Sequence, residues 1–219
     1  MQHRPIIFDF DGVIVDSEVL ANKALALVIT DLGFPTTTEE AIERYTGYRM
    51  SDCIAAIEAR HDFKVPNNIG ELWGAAFKDM HTELQAVPGA VQFVRTRRAE
   101  RTAIASSSRQ HEIERCLAIV GLFDHFTGRI FSAANLERGK PHPDVFWLAA
   151  EGISARPQDC IVIEDGTLGT QGAVAAGMTV IGLTAGSHCT PTHAGRLRQA
   201  GAHHIAKNYE EVAAIIAAL

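Results

Sequence analysis

From Pro88 onward, short apolar runs with strand character alternate with longer stretches of helical character. Strand candidates lie at Thr102–Ala105, Phe126–Ser132, Cys160–Ile163, Thr179–Leu183 and His204–Ala206. Helical candidates fill the intervals, near Pro88–Glu100, Gln110–Val120, Pro143–Gly152, Leu168–Ala176, His193–Ala200 and Tyr209–Leu219. Parallel strands cannot be joined by a tight hairpin and need a crossover, usually a helix. Strict alternation therefore predicts a parallel sheet with helices on both faces. Near the start of the chain, Ile6-Ile7-Phe8 adds one more strand. Three apolar residues in a row suit a strand buried on both faces.

Between Asp16 and Ala86 no convincing strand is legible. Leu20, Ala24, Leu25, Val28, Ile29 and Leu32 recur at helical spacing, and Gly33 ends the run. Short helices are expected near Glu39–Tyr45 and Ser51–Arg60, with Ser51 as an N-cap. Over Ile69–Leu84, the residues Ile69, Leu72, Trp73, Ala76, Phe77, Met80 and Leu84 form one stripe, read as core packing throughout. The expected fold is α/β, a Rossmann-like parallel-sheet core with an inserted all-helical domain. The core takes residues 1–15 and 87–219, and the insertion residues 16–86 of the 219.

Composition narrows the classes of partner. A formal net charge of −6 disfavours nucleic acid and anionic membrane surfaces. The basic cluster Arg95, Arg97, Arg98 and Arg101 reads as a solvated helix face. Cys53, Cys116, Cys160 and Cys189 are far apart and form no CxxC pair, so reduced thiols are expected, not a disulfide framework or a zinc site. No apolar run approaches a membrane span, and Asp9 and Asp11 interrupt the N-terminal apolar segment, which argues against a signal peptide. Cytoplasmic location is the expectation.

In open α/β sheets, ligands bind beyond the carboxyl ends of the strands. The first strand runs into Asp9-Phe10-Asp11-Gly12. Side chains at i and i+2 of a strand point the same way, so two like charges stand side by side. Such a pair favours a cation, and magnesium takes hard oxygen ligands, often one or two carboxylates plus a substrate phosphate. Read alone, the tetrapeptide is also a plain turn. The second strand ends in Ser106-Ser107-Ser108-Arg109, whose hydroxyls and backbone N–H groups suit phosphate oxygens. A Ser-rich helix N-cap explains it as well. Lys140 sits in Gly139-Lys140-Pro141-His142-Pro143-Asp144, where two prolines restrict the backbone and Pro143 fits a first helical position. The strand Cys160–Ile163 runs into Glu164-Asp165-Gly166, a second acidic pair able to complete a magnesium site.

In this order, the four signals resemble the haloacid dehalogenase superfamily of phosphotransferases, in the subgroup with a helical cap inserted after the first motif. That subgroup includes β-phosphoglucomutase and many small-molecule phosphatases. The resemblance covers essentially the whole chain. Its first motif matches Asp9-Phe10-Asp11-Gly12-Val13-Ile14-Val15-Asp16-Ser17-Glu18, its second Ser106, its third Lys140 and its fourth Glu164-Asp165. Gly166 departs from the serine usual there, with little consequence expected for the chemistry.

The resemblance implies a nucleophile at Asp9 that forms an aspartyl-phosphate, and a general acid and base at Asp11. It implies magnesium held by Asp9, the Asp11 backbone carbonyl and Asp165, with Glu164 assisting. Ser106, Ser107 and Lys140 would hold the transferring phosphoryl group. Dehalogenation is disfavoured, because a halide leaving group needs no acid at Asp11. The mutase pattern carries a histidine five residues beyond the position of Asp16, where this chain has Ala21, and Thr-Ala where it has Ser17-Glu18. Both departures favour a phosphatase.

In the cap, Thr46-Gly47-Tyr48-Arg49-Met50-Ser51 resembles a substrate-gripping loop, which implies that Gly47 and Arg49 bind a second anionic group. Lys78 is a further substrate-binding candidate. His188-Cys189-Thr190-Pro191-Thr192-His193 has metal-ligand residue types but no second cluster nearby in sequence, and reads as a loop and helix start. Gly166, Gly169 and Gly172 do not match a dinucleotide-binding fingerprint.

The expected activity is magnesium-dependent hydrolysis of small phosphorylated metabolites, sugar phosphates or phosphosugar acids. A β-phosphoglucomutase-like isomerase and a non-catalytic phosphometabolite-binding protein are the alternatives. A monomer is expected, because a cap-and-core layout buries its own apolar stripes, with a dimer left open.

Overall fold

The computed structural model describes residues 4–46, 48 and 50–219. The chain divides into two compact units: residues up to Asp16 together with Gln85–Leu219, and Ser17–Leu84.

The first unit is built on a six-stranded sheet. Its strands are β1 (Ile6–Phe8), β2 (Thr102–Ser106), β3 (Ile130–Ser132), β4 (Ile161–Glu164), β5 (Thr179–Leu183) and β6 (His204–Ala206). Their order is β3-β2-β1-β4-β5-β6, with every neighbouring pair parallel. The strand order therefore reverses at β1. Phe8 pairs with Ile104 on one side and Ile163 on the other, so β1, β2 and β4 present their carboxyl ends together at the switch point.

Side chains alternate across β1 and bury both faces. Ile7 joins Ala103, Ala105, Val162 and Val180 of the sheet with Val145, Phe146, Ala149 and Ala173 from the helices Asp144–Gly152 and Thr167–Ala175. Phe8 points the other way. Its ring meets Phe93 edge-on at 6.1 Å and Phe126 at 5.9 Å.

The second unit holds α1 (Glu18–Asp31), α2 (Thr38–Tyr45), α3 (Met50–His61) and α4 (Ile69–Asp79), with no strand among its described residues. Its core joins Leu25, Val28 and Ile29 of α1 to Ala41 and Tyr45 of α2, Cys53 and Ile57 of α3, and Ile69 of α4. Thr37 and Glu40 form a reciprocal capping box that starts α2.

Several local expectations need correction. Ser51 lies inside α3 and is not its N-cap. The stripe from Ile69 to Leu84 is not all core: α4 stops at Asp79, and Leu72 is 42 % exposed. Only Ile69 and Leu84 of that stripe are buried. Trp73 is held at the margin by its indole N–H, which donates to Ala21 O at 2.9 Å. Phe126 belongs to a short helix, Phe123–Phe126, because its ring reaches the core from there and Gly128 turns the chain at φ +75° before β3. The helix read over Pro88–Glu100 shortens to Ala90–Arg95, followed by a 3₁₀ turn at Ala99–Arg101. Pro143 sits at the N-cap of the helix Asp144–Gly152, one position before the first helical residue.

Candidate active site

Asp9 directly follows β1, and its N–H continues the ladder to Ile163 O at 2.9 Å. The carboxylate thus emerges at the switch point. Beyond it the chain folds back at once. Ile14 N–H and Val15 N–H both donate to Phe10 O, and Gly12 N–H donates to Val15 O at 2.8 Å. Gly12 has φ +73°, and a Cβ there would fall 1.9 Å from Asp165 Oδ2, so only glycine fits this turn beside the acidic cluster. The buried Tyr209 hydroxyl pins the turn from beneath, donating to Val13 O at 2.7 Å.

Lys140 reaches the same point from the loop ahead of the helix Asp144–Gly152. Its stem passes the Phe146 ring, with Nζ 5.3 Å from the centroid. Nζ donates to Asp9 Oδ1 at 2.8 Å and to Glu164 Oε1 at 2.6 Å. Glu164, the last residue of β4, also accepts from Gly166 N–H at 2.6 Å. It fits only because Gly169 has no side chain: a Cβ there would lie 1.5 Å from Glu164 Oε1.

The ends of β2 and β3 close the other side. Ser106 Oγ accepts from Ser108 N–H at 3.0 Å, which folds the turn. Ser108 Oγ then donates to Asp11 Oδ2 at 2.7 Å, and Ser132 Oγ donates to Ser108 O at 2.6 Å.

The electrostatics are those of an ammonium outnumbered by carboxylates. Burial alone would lower the Lys140 pKa, but the Asp9 and Glu164 charges override it and hold the group above its ordinary value. Burial, reinforced by Asp9, pushes Glu164 up to about 8. Asp165 is also held well above its ordinary value, first by burial and then by the charges of Asp9 and Asp11. Carboxylate oxygens of Asp9, Glu164 and Asp165 lie within 4.8 Å of one another. Three hard oxygen donors facing one ammonium fit a divalent cation of the magnesium class, by ligand type and by charge.

Residues 6–183 match the sequence profile of the haloacid dehalogenase-like hydrolases. The chain belongs to this family. A 6-phosphogluconate phosphatase of Escherichia coli is 25 % identical over 188 residues, covering 85 % of each protein. A haloacid dehalogenase-like protein of unknown function from Agrobacterium tumefaciens superimposes with a TM-score of 0.83 at 34 % identity, covering 97 % of both chains. A haloacid dehalogenase family hydrolase from Deinococcus radiodurans, solved with bound phosphate and sodium, gives 0.78 at 31 % identity over 98 % of this chain and 95 % of that one. The six-stranded parallel sheet with flanking helices is the fold of this family.

Of the residues singled out in the sequence, Asp9, Lys140 and Glu164 form one ion-paired group, with Asp165 beside it. Asp11 and Ser106 are linked to each other through Ser108, and Ser107 lies half-buried in the same turn. Lys78 is exposed near the end of α4. Gly47 and Arg49 lie outside the described residues.

Sequence reasoning missed three participants. Ser108 was visible only as part of a serine run. His188 and His193 were read as loop and helix start, yet His188 Nε2 is 3.0 Å from Asp165 Oδ2, and His193 Nε2 donates to Asp165 O at 2.6 Å. Arg196 donates to His193 Nδ1 at 3.1 Å, which assigns the ring proton to Nε2. Among the described residues no helix is long and apolar enough to cross a membrane.

Proposed function

We propose that this haloacid dehalogenase-like hydrolase is a magnesium-dependent phosphatase of small phosphorylated metabolites, with sugar phosphates and phosphosugar acids as the substrate class. The observation that carries this reading is the buried group in which Lys140 Nζ bridges Asp9 Oδ1 and Glu164 Oε1 at the switch point of the sheet. The E. coli relative named for 6-phosphogluconate, a phosphosugar acid, supports the substrate class.

Asp9 attacks the phosphorus and forms an aspartyl-phosphate as the bond to the leaving oxygen breaks, a recognised carboxylate role. Asp11, oriented by Ser108, gives its proton to that oxygen. It then takes a proton from the water that attacks the phospho-aspartate, which returns Asp9 and releases phosphate. Ser106, the Ser107 N–H and Lys140 bind the phosphoryl oxygens. Asp9, the Asp11 backbone carbonyl and Asp165, with Glu164 assisting, would hold magnesium, whose charge would neutralise the phosphoryl oxygens.

Magnitudes explain why so many groups converge. Phosphate-monoester hydrolysis can require acceleration up to ~10²¹-fold, whereas general acid–base assistance supplies about 10²–10⁴. Most of the remainder falls to positioning and charge stabilisation. The test is phosphate release across a panel of phosphorylated sugars, sugar acids and nucleotides, with and without magnesium. Metal-dependent release that vanishes in Asp9→Asn is expected. Multiple turnover by Asp9→Asn, free of deamidation, overturns the nucleophile, and isomerisation of β-glucose 1-phosphate with little free phosphate overturns the phosphatase.

A further inference from the structure

The segment from Ser187 to His193 carries a side-chain cluster that contacts Asp165 but has no step of its own in the proposed phosphoryl transfer. Ligand atoms of His188, Cys189 and His193 lie within 4.8 Å of one another. Cys189 Sγ stands 3.6 Å from His188 Nε2. Around a tetrahedral zinc ion, with Zn–S near ~2.3 Å and Zn–N near ~2.0 Å, neighbouring sulfur and nitrogen ligands are roughly 3.5 Å apart. The pair therefore already has the separation of two ligands on one ion. A fourth donor is at hand in Asp165 Oδ2, 3.0 Å from His188 Nε2.

The cluster is held in place by the fold. The His188 ring is packed between two glycines: a Cβ at Gly12 would fall 2.8 Å from its Cε1, and one at Gly186 would fall 2.7 Å from the same atom. His188 and His193 are buried, with ring centroids 5.4 Å apart and planes crossed at 85°. Cys189 is only half-buried, so an ion can enter from its side. Ser187 ties the segment to the end of the first motif, its N–H and hydroxyl both donating to Asp16 Oδ1 at 3.0 and 2.9 Å.

We propose that His188, Cys189 and His193, with the Asp165 carboxylate as fourth ligand, bind a divalent transition metal of the zinc class. The nitrogen and sulfur donors distinguish this site from the all-oxygen group of Asp9, Glu164 and Asp165, which suits magnesium. Binding releases the Cys189 thiol proton to solvent; the His193 ring proton passes from Nε2 to Nδ1, the Arg196 donor to Nδ1 turns away, and the freed Nε2 exchanges the Asp165 carbonyl for the ion. Because Asp165 belongs to both donor sets, zinc would withdraw a carboxylate from the phosphatase centre and inhibit in competition with magnesium. That consequence rests on the phosphatase reading; the binding itself does not.

The test is titration of the full-length reduced protein with cobalt(II) in excess magnesium, followed by the near-ultraviolet thiolate-to-cobalt absorption. Burial pushes the other thiols up, Cys53 and Cys116 to about 12 and Cys160 to about 11, so Cys189 is the expected source of a thiolate band. One equivalent of cobalt should saturate the band, zinc should displace it, and Cys189→Ser and Cys189→Ala should both lack it. Absence of the band in the unmodified protein, or its persistence in both variants, overturns the site.

Phosphate release measured on the same samples separates the two proposals. Both variants should keep magnesium-supported release and need at least tenfold more zinc for half inhibition. Zinc inhibition unchanged in the variants overturns the inhibitory role. A thiolate band without any phosphatase activity overturns the phosphatase reading and leaves the site standing, while activity without a band does the reverse.

Discussion

The Ser108 hydroxyl donates to Asp11 Oδ2 at 2.7 Å, joining residues 97 positions apart in the chain. The turn after β2 thereby orients the carboxylate that we propose transfers the proton. Ser108→Ala removes that orientation and leaves Asp9, Lys140 and the acidic group untouched. We expect kcat to fall by about 10–100-fold, part of the roughly 10²–10⁴ available to acid–base assistance, with KM changed little. Steady-state kinetics on a phosphosugar substrate check this. An unchanged kcat would remove Ser108 from the mechanism.

Lys140 is buried against Asp9 and Glu164. Lys140→Met leaves these carboxylates without their counter-charge, and breaking a buried pair costs about 3–5 kcal/mol. The Glu164 part of the loss should grow as pH rises through about 8, where that carboxylate ionises. Denaturant unfolding at two pH values measures it.

Glu164 has a folded pKa of about 8 against an ordinary 4.5. The folded protein therefore binds more protons than the unfolded chain between these values, so stability falls as pH rises through that window. The contribution is complete below about pH 4.5 and lost as pH passes about 8. In chelator-treated protein, the Glu164 contribution should lower the melting temperature across the window. Magnesium, which favours the ionised carboxylate, should stabilise more as pH rises. Calorimetry with and without magnesium gives both curves, and a magnesium shift independent of pH would contradict the assignment.

Gly169 and Gly166 face the same carboxylate at different distances. A Cβ at Gly169 would lie 1.5 Å from Glu164 Oε1, whereas one at Gly166 would lie 3.3 Å from Oε2. Gly169→Ala should displace Glu164 from Lys140, abolish most activity and destabilise by about 1–3 kcal/mol, as overpacking does. Gly166→Ser needs only a small adjustment and should keep activity within a few-fold. Parallel activity and melting measurements on the two variants separate them.

Tyr209→Phe removes the hydroxyl that donates to Val13 O beneath the turn carrying Asp11. Removing one partner of a buried hydrogen bond costs about 1–3 kcal/mol. The expected result is a lower unfolding midpoint with an unchanged denaturant dependence.

Much of this arrangement was legible in the sequence, for a geometric reason. In a parallel sheet every strand delivers its last residue to the same edge, so a position at a strand end is already a position in space. That is why Asp9, Ser106, Glu164 and Asp165 stood out, each directly at or after an apolar run. The α4 stripe misled because helical spacing says which residues share a face, but not how much of that face a neighbour covers. Leu72 shares the stripe and stays exposed. Phe126 misled because a lone aromatic core residue is compatible with a strand or a helical turn.

Sequence by itself determined the α/β class, the helical insertion after the first strand and the order of acidic, serine, lysine and acidic signals. These follow from hydrophobic periodicity and turn chemistry, which act over a few residues. Tertiary structure alone decided the Lys140 bridge from Asp9 to Glu164, the Ser108 contact with Asp11, and the approach of His188 and His193 to Asp165. Those contacts depend on side-chain directions and on room left by Gly12 and Gly169, set only when segments distant in the chain pack at one end of the sheet.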